Sequence, residues 1–331
     1  MLTAAIVGLG WWGRQIAGAL KDSEQVKVTT AADVAPDAVS ETAGKLGLAL
    51  TGFEGVLADK AIEAVILTTP HSLHEAQVLA ALDAGKQVFC EKPFSLTKAS
   101  AERMVAAAKA KGRILGIGHE RRFEPAMEEV AKRVGAGDIG TLMHFEANFS
   151  YDVGRARVSG SWRTDPKEAP AAIWTGTGVH LSDLMISMAG PVAAVQAFSA
   201  RRVLEQANGD IVTAHLRFAG GATGMVSCIA VTPFFNRFAV FGSGGWLEVR
   251  DYLHPAVGYD AELAWSHEGG KIERQKFATP LDTVRANVDA WAAAVQGGKP
   301  YRFTTEQIVA NTAVVEAVGR SAATGELLKI G

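Results

Sequence analysis

The feature that most constrains this chain is an apolar run that passes through three glycines into a helical pattern, Ala4-Ala5-Ile6-Val7-Gly8-Leu9-Gly10-Trp11-Trp12-Gly13-Arg14-Gln15. It reads as strand, tight turn and helix. Gly8 permits the sharp turn, Gly10 lets the main chain approach a pyrophosphate with no Cβ in the way, and Gly13 lets the helix pack close to the strand. Phosphates would then sit on unpaired N–H groups at the helix start, where the helix dipole favours negative charge. A chain with 35 glycines produces such spacings by chance. The pattern therefore carries weight only if a strand precedes it, a helix follows, and an acid closes the next strand.

The residues that follow supply this context. Apolar runs at Ile6–Gly8, Val26–Ala32, Ala64–Leu67, Gln87–Phe89 and Ile114–Ile117 alternate with Ala-rich amphipathic segments at Pro36–Leu46, Leu73–Ala84 and Lys98–Lys111. That alternation predicts a parallel sheet with covering helices. Pro36 and the stretch from Ser95 to Thr97 occupy helix-start positions. Asp33 stands 20 residues after Gly13, at the end of the Val26–Ala32 run. An acid there accepts hydrogen bonds from an adenosine ribose and repels a 2′-phosphate. The next residue is Val34, not a cation, so NAD is preferred to NADP. Thr68-Thr69-Pro70-His71 and Cys90-Glu91-Lys92-Pro93 each end an apolar run, at the carboxyl edge where open parallel sheets bind ligands. Pro93 biases Lys92 toward an extended conformation. A lysine held beside a cofactor can hydrogen-bond a substrate hydroxyl and help move its proton as hydride leaves the carbon.

The pattern changes after about Arg121, which divides the chain into a dinucleotide-binding domain, 1–120, and a second α/β domain, 121–331. A helix is expected near Pro125–Val134. Val212–Phe218 alternates apolar and polar residues as a half-buried strand does. Gly220-Gly221, Ser243-Gly244-Gly245 and Glu268-Gly269-Gly270 are turn signals among the runs Ala222–Val231, Arg237–Phe241, Trp246–Arg250, Glu262–Ser266 and Lys271–Phe277, so this sheet is expected to be mostly antiparallel. Helical segments at Leu281–Gln296 and Thr304–Thr324 close the chain. In the Trp174–Met185 stretch, a helix would place His180 and Asp183 on one face at i, i+3. His180 could then exchange a proton near neutral pH, with Asp183 orienting it; the alternative is a histidine packed at a domain seam and Asp183 pairing with a nearby cation.

Composition excludes several classes of partner. The formal net charge is −2 with no dense basic run, so neither nucleic acid nor an anionic membrane is an expected partner. No apolar run reaches membrane-spanning length and no cationic leader precedes the first strand. Cys90 and Cys228 are the only cysteines and lack ligand spacing. They read as two packed thiols in a reducing cytoplasm, with no metal site.

Three signatures, Gly8-Leu9-Gly10-Trp11-Trp12-Gly13, Glu91-Lys92-Pro93 and Gly178-Val179-His180-Leu181-Ser182-Asp183, appear in the order and spacing of the Gfo/Idh/MocA oxidoreductases, which the chain resembles over essentially its whole length. Thr69-Pro70-His71-Ser72-Leu73-His74, Gly118-His119-Glu120-Arg121-Arg122-Phe123 and Trp162-Arg163 resemble further segments of that family. The resemblance implies a Rossmann domain followed by an α/β domain whose open sheet commonly mediates oligomerisation, as a homodimer or homotetramer. It implies NAD(P)-dependent oxidation of a secondary alcohol on a sugar, polyol or related hydroxy compound, or the reverse reduction. Lys92 and His180 match the family's catalytic lysine and histidine. The cofactor-binding set is Gly8, Gly10, Trp11, Trp12, Gly13, Asp33, Thr69, Pro70, His71, His74, Glu91, Lys92 and Trp162, and candidate substrate contacts are Asp183, Arg122, Arg163 and Thr177.

The chain departs from the pattern in one place. The family commonly carries an aspartate four residues before the histidine, where Gly176 stands here. Asp183 or a carboxylate from elsewhere would have to replace it, unless the substrate has different needs. Trp12 would either buttress one face of the nicotinamide or simply pack. The Tyr151–Ala172 loop carries Arg155, Arg157, Arg163 and Lys167 with Asp152, Asp165 and Glu168. With Arg121 and Arg122 it would either gather cations for a carboxylated substrate such as a sugar acid or neutralise itself in solvent. Two other functions remain open: a non-catalytic dinucleotide- or sugar-responsive regulator, and an NAD-assisted glycoside hydrolase.

Overall fold

The computed structural model describes residues 1–153, 162–205, 209–254, 258–267, 269–278 and 282–331. Two units partition the chain: Met1–Glu120 with Asp282–Ile308, and Arg121–Leu281 with Val309–Gly331.

The first unit is built on strands β1 (Leu2–Val7), β2 (Val26–Ala32), β3 (Ala49–Thr51), β4 (Ala64–Leu67), β5 (Gln87–Cys90) and β6 (Leu115–Ile117), with helices α1 (Trp11–Ala19), α2 (Pro36–Leu46), α3 (Phe53–Ala58), α4 (His74–Asp83) and α5 (Lys98–Ala110) between them. The strands are all parallel, in the order β3-β2-β1-β4-β5-β6. This is the doubly wound arrangement, whose switch point lies between β1 and β4. Every residue of β4 is buried, as a parallel strand covered on both faces requires. Pro36 opens α2 and left-handed Gly47 closes it. The Thr97 hydroxyl caps α5 by accepting the Ser100 N–H at 3.2 Å. The edge strand β3, only three residues long, has no counterpart among the runs read from the sequence.

The second unit contains α6 (Pro125–Ala136), β7 (Leu142–Ser150), α7 (Ile173–Gly176), α8 (Gly178–Ala189), β8 (Val192–Ala200), β9 (Ile211–Phe218), β10 (Thr223–Ile229), β11 (Phe235–Gly242), β12 (Gly245–Asp251), β13 (Ala261–His267) and β14 (Glu273–Phe277). Its nine-stranded sheet also takes a strand from near the C-terminus. All its pairings are antiparallel except that of β7 with β10. Leu181, Leu184 and Met185 of α8 join Phe145, Val226 and Phe238 of the sheet in one core. Elsewhere on the sheet Arg237 pairs with Glu146 at 2.7 Å and Glu248 at 2.6 Å. Two turn or helix positions expected from the sequence, Glu268 and Leu281, lie outside the described residues.

Past the sheet come α9 (Thr283–Val295), α10 (Thr305–Thr324) and β15 (Leu328–Lys329). Although α9 follows the second domain in sequence, it packs in the first unit. Trp291 is fully buried edge-on against Phe89 of β5, with ring centroids 5.6 Å apart. Its indole N–H donates to the Ile114 carbonyl at 2.9 Å, and the Asn287 amide donates to the Ile117 carbonyl at 2.8 Å. A Cβ on Gly116 would fall 2.3 Å from the Phe89 ring and 2.9 Å from Trp291, so the contact needs glycine there. Among the described residues no helix is long and apolar enough to cross a membrane. Trp291→Ala should destabilise the first unit by about 3–5 kcal/mol, read as a lower urea midpoint by tryptophan-independent circular dichroism; an unchanged midpoint would show that α9 adds no stability.

Candidate active site

Strand register places the candidate residues of the first unit in one row. Val7 pairs with Ala32 and with Leu67, Leu67 with Cys90, and Cys90 with Ile117. The residues one step further, Gly8, Asp33, Thr68, Glu91 and Gly118, therefore stand side by side just beyond the carboxyl ends of the strands. Main-chain bonds knit the row: Gly8 N–H to Ala32 O at 2.7 Å, Thr68 N–H to Val7 O at 2.9 Å, Glu91 N–H to Leu67 O at 2.9 Å and Gly118 N–H to Cys90 O at 3.1 Å.

The glycine turn fits a dinucleotide phosphate. Gly8 has φ +92°, and a Cβ on it would meet the Thr68 carbonyl oxygen at 3.0 Å. On Gly13 a Cβ would lie 2.1 Å from the Gly8 carbonyl oxygen, so turn and helix can touch only through glycine. Gly10 is different. A Cβ there meets nothing within 4 Å, so the chain's own packing gives no reason for glycine, whereas an incoming pyrophosphate would. Gly10 caps α1 with no side-chain hydrogen bond to the helix, leaving the first-turn N–H groups directed at that space. Asp33 braces the turn, with one carboxylate oxygen accepting the Leu9 N–H at 2.8 Å and the other the Ala35 N–H at 2.9 Å. Each oxygen retains acceptor capacity for ribose hydroxyls. Val34 beside it is 99% exposed and apolar.

Glu91 is the most constrained member of the row. It is buried, and its carboxylate accepts the Lys92 N–H at 3.1 Å. A Cβ on Gly118 would come within 2.2–2.4 Å of all three carboxyl atoms. Gly118 is thus the socket for this group. Burial pushes the Glu91 carboxyl up, while the Lys92 charge, the Trp12 side chain and the Lys92 N–H offset this only in part. Lys92 follows, half-buried, and the Lys92–Pro93 peptide is cis. Half-buried Trp12 lies 5.4 Å from the exposed Trp11 ring.

His74 serves this loop from beneath. It is fully buried, with Nδ1 facing the Pro93 and Phe94 carbonyls at 3.1 and 3.3 Å and Nε2 facing the Thr69 carbonyl at 3.1 Å. Its ring therefore ties the Thr69-Pro70 loop to the loop carrying Lys92. His71 packs edge-on against it at 5.7 Å, and the Thr69 hydroxyl donates to Gln77. Burial raises the Cys90 thiol well above its ordinary value and the Cys228 thiol to about 12, so both are inert as nucleophiles.

In the second unit His180 lies, buried, in the first turn of α8. Gly178 allows this turn to settle on Trp174, since a Cβ would meet the indole at 2.4 Å. Asn311 of α10 fastens it, accepting from the Ser182 hydroxyl at 2.6 Å and donating to the Val179 carbonyl at 3.0 Å. Asp183 shares the helix with His180 but closes a bidentate pair with Arg122, 2.7 Å to Nε and 2.6 Å to Nη2. Both partners are buried. Burying one without the other would strand a charge in a low dielectric. The neighbouring Arg121, also buried, bonds Glu124 and Asp251. The Thr177 hydroxyl, buried, donates to the Ile173 carbonyl at 3.0 Å, and the Arg163 guanidinium lies over the Trp162 ring at 4.1 Å. Arg155 and Arg157 lie outside the described residues. Sequence reasoning missed the socket at Gly118 and the brace at Asn311. The first was legible as one more residue in the edge row; the second, distant in sequence from α8, carries no local signal.

A parallel sheet carrying a phosphate-ready glycine turn, an acid at the next strand end and an open second sheet defines a two-domain dinucleotide-dependent enzyme. Residues 2–119 match the oxidoreductase family with NAD-binding Rossmann fold, and residues 127–248 match the GFO/IDH/MocA C-terminal domain. The chain belongs to the Gfo/Idh/MocA oxidoreductase family. It is 28% identical over 292 residues to 1,5-anhydro-D-fructose reductase of Ensifer adhaerens, covering 87% of this chain and 86% of that one. It is 28% identical over 265 residues to scyllo-inositol 2-dehydrogenase (NAD(+)) of Bacillus subtilis, covering 76% and 75%. Its fold superposes on aldose-aldose oxidoreductase from Caulobacter crescentus with TM-score 0.85, at 24% identity over 99% of both chains.

Gly118→Ala drives a methyl group into the Glu91 carboxyl and should lower kcat/KM by about 10²-fold, while Gly44→Ala, on an open helix surface, should not. Equal activity of the two variants would show that Glu91 needs no socket.

Proposed function

We propose that this protein oxidises a secondary alcohol of a sugar or cyclic polyol, or reduces the corresponding ketone, with NAD in preference to NADP. The observation that supports this reading is the edge row, in which Gly8, Asp33 and Glu91, the residue before Lys92, stand along one side of one sheet. Bound nicotinamide supplies the hydride acceptor or donor. Lys92 holds the reacting hydroxyl by hydrogen bond and moves its proton, while Glu91 and His74 orient the lysine loop. His180 is the second proton-handling group. Gly176 stands in place of the family's aspartate, and Asp183 on the same helix as His180 pairs with Arg122. Preference for NAD is supported by Asp33 followed by exposed, uncharged Val34. The relatives named for anhydrofructose and inositol chemistry support a cyclic polyhydroxy substrate.

Following absorbance of reduced nicotinamide over a panel of polyols, aldoses and sugar acids tests the reaction. Lys92→Ala should lower turnover by about 10²–10⁴-fold while NADH affinity stays close to that of the unmodified chain and exceeds NADPH affinity. Undiminished turnover in Lys92→Ala would sink the assignment. We further propose that the chain works in the cytoplasm as a homodimer or homotetramer assembled through the open sheet of the second unit. Sedimentation as a monomer at micromolar concentration would overturn the assembly.

A further inference from the structure

Three strand ends of the second unit deliver aromatic rings to the neighbourhood of His180. Phe149 on β7 stands opposite Asn236 on β11, which stands opposite Asp251 on β12. Residues just beyond this register line therefore collect at one end of the sheet: Tyr151 after β7, Phe234 before β11 and His254 after β12. Their rings are in contact. Tyr151 and His254 meet edge-on at 4.7 Å, Phe149 lies 5.5 Å from Tyr151 and 5.9 Å from His254, and Phe234 lies 6.0 Å from His254. The Phe149 ring is 6.5 Å from that of His180. Phe149 is buried, and Tyr151 and Phe234 pack against the core, but Tyr151, Phe234 and His254 are only partly buried, so the cluster rests on the core and still presents ring surface.

Arg121 and Arg122 of the same unit are already paired. Arg121 lies 5.0 Å over the Phe149 ring and bonds Glu124 and Asp251, and Arg122 is held by both oxygens of Asp183. Two of the cations read as candidates for a carboxylated substrate, Arg121 and Arg122, are thus each matched by carboxylate. What the cluster offers is π-surface, negative on its faces. The complementary ligand surface is a patch of C–H groups carrying slight positive charge. A pyranose or cyclic polyol has such a patch where axial C–H bonds point the same way, and an open-chain polyol does not hold one.

We propose that Tyr151, Phe234 and His254, backed by buried Phe149, form the wall that selects the substrate, receiving the C–H face of a neutral six-membered polyhydroxy ring beside His180. This rests on the sugar or polyol reading above and sharpens it. Saturation-transfer NMR on the NADH-loaded protein, with myo-inositol and methyl glucopyranoside as ring probes and sorbitol and glucuronate as comparisons, measures binding without requiring turnover. The ring probes should bind through their C–H protons and more tightly than sorbitol or glucuronate. Tyr151→Leu and Phe234→Leu should each weaken ring-probe binding by about tenfold, leave sorbitol binding and NADH affinity unchanged, and be rescued by Tyr151→Phe and Phe234→Tyr. Parallel loss for ring and open-chain probes would overturn the wall, as would preference for glucuronate or failure of both ring probes to bind. Ring binding without hydride transfer to any alcohol would uphold the wall and refute the redox reading, whereas turnover with no aromatic dependence would do the reverse.

Discussion

Register between parallel strands is the constraint on which the first unit's chemistry depends. Once Val7, Ala32, Leu67, Cys90 and Ile117 are aligned by main-chain hydrogen bonds, the five residues that follow them have no choice of place. Gly8 turns, Asp33 braces the turn, Thr68 abuts it, Glu91 fills the socket that Gly118 leaves, and Lys92 is carried one step beyond. A side chain on Gly13 or Gly118 would collide with a neighbour at 2.1 or 2.2 Å, so these glycines are forced by the row itself. Of the three glycines of the turn only Gly10 is free of such a contact, which leaves room there for a group from outside the chain.

The second unit solves a different problem, that of holding a histidine on a helix packed into an apolar core. Its means are buried ion pairs. Arg121 and Arg122 are adjacent in sequence yet reach different partners, one the sheet through Asp251 and the other α8 through Asp183. Such pairs contribute little net stability, because desolvation offsets their attraction, but losing one partner is costly. Their effect here is to fix the rotation of α8 and hence the direction in which His180 faces, with Asn311 adding a neutral hydrogen-bonded brace.

Much of this was legible from residue order. The glycine turn, Asp33 and the Lys92 loop are local patterns whose geometry follows from strand, turn and helix periods, and the parallel and antiparallel sheets could be read from alternation and turn residues. Other features depend on contacts between distant residues. The i, i+3 spacing of Asp183 from His180 is visible in sequence, and so is the option that Asp183 pairs with a cation, but that this cation is Arg122, 61 residues away, is not. The same holds for His74, whose ring stands between two loops with both nitrogens facing main-chain carbonyls. β7 and β8 gave no turn-bounded signal, and short β3 depends on its neighbour β2 more than on its own residues.

The placement of α9 has a consequence for how the protein is made. Residues 1–120 leave the ribosome as an apparently whole dinucleotide-binding fold, yet the indole that seals Phe89 and the amide that satisfies the Ile117 carbonyl belong to residues 291 and 287. The unit synthesised first is completed only after eight of the nine strands of the second sheet, β7 to β14, have been translated. During that interval one flank of the parallel sheet lacks its cover, so the nascent chain must either tolerate exposed apolar surface there or be shielded. In topological terms the two units are interleaved, each a single fold written in two instalments.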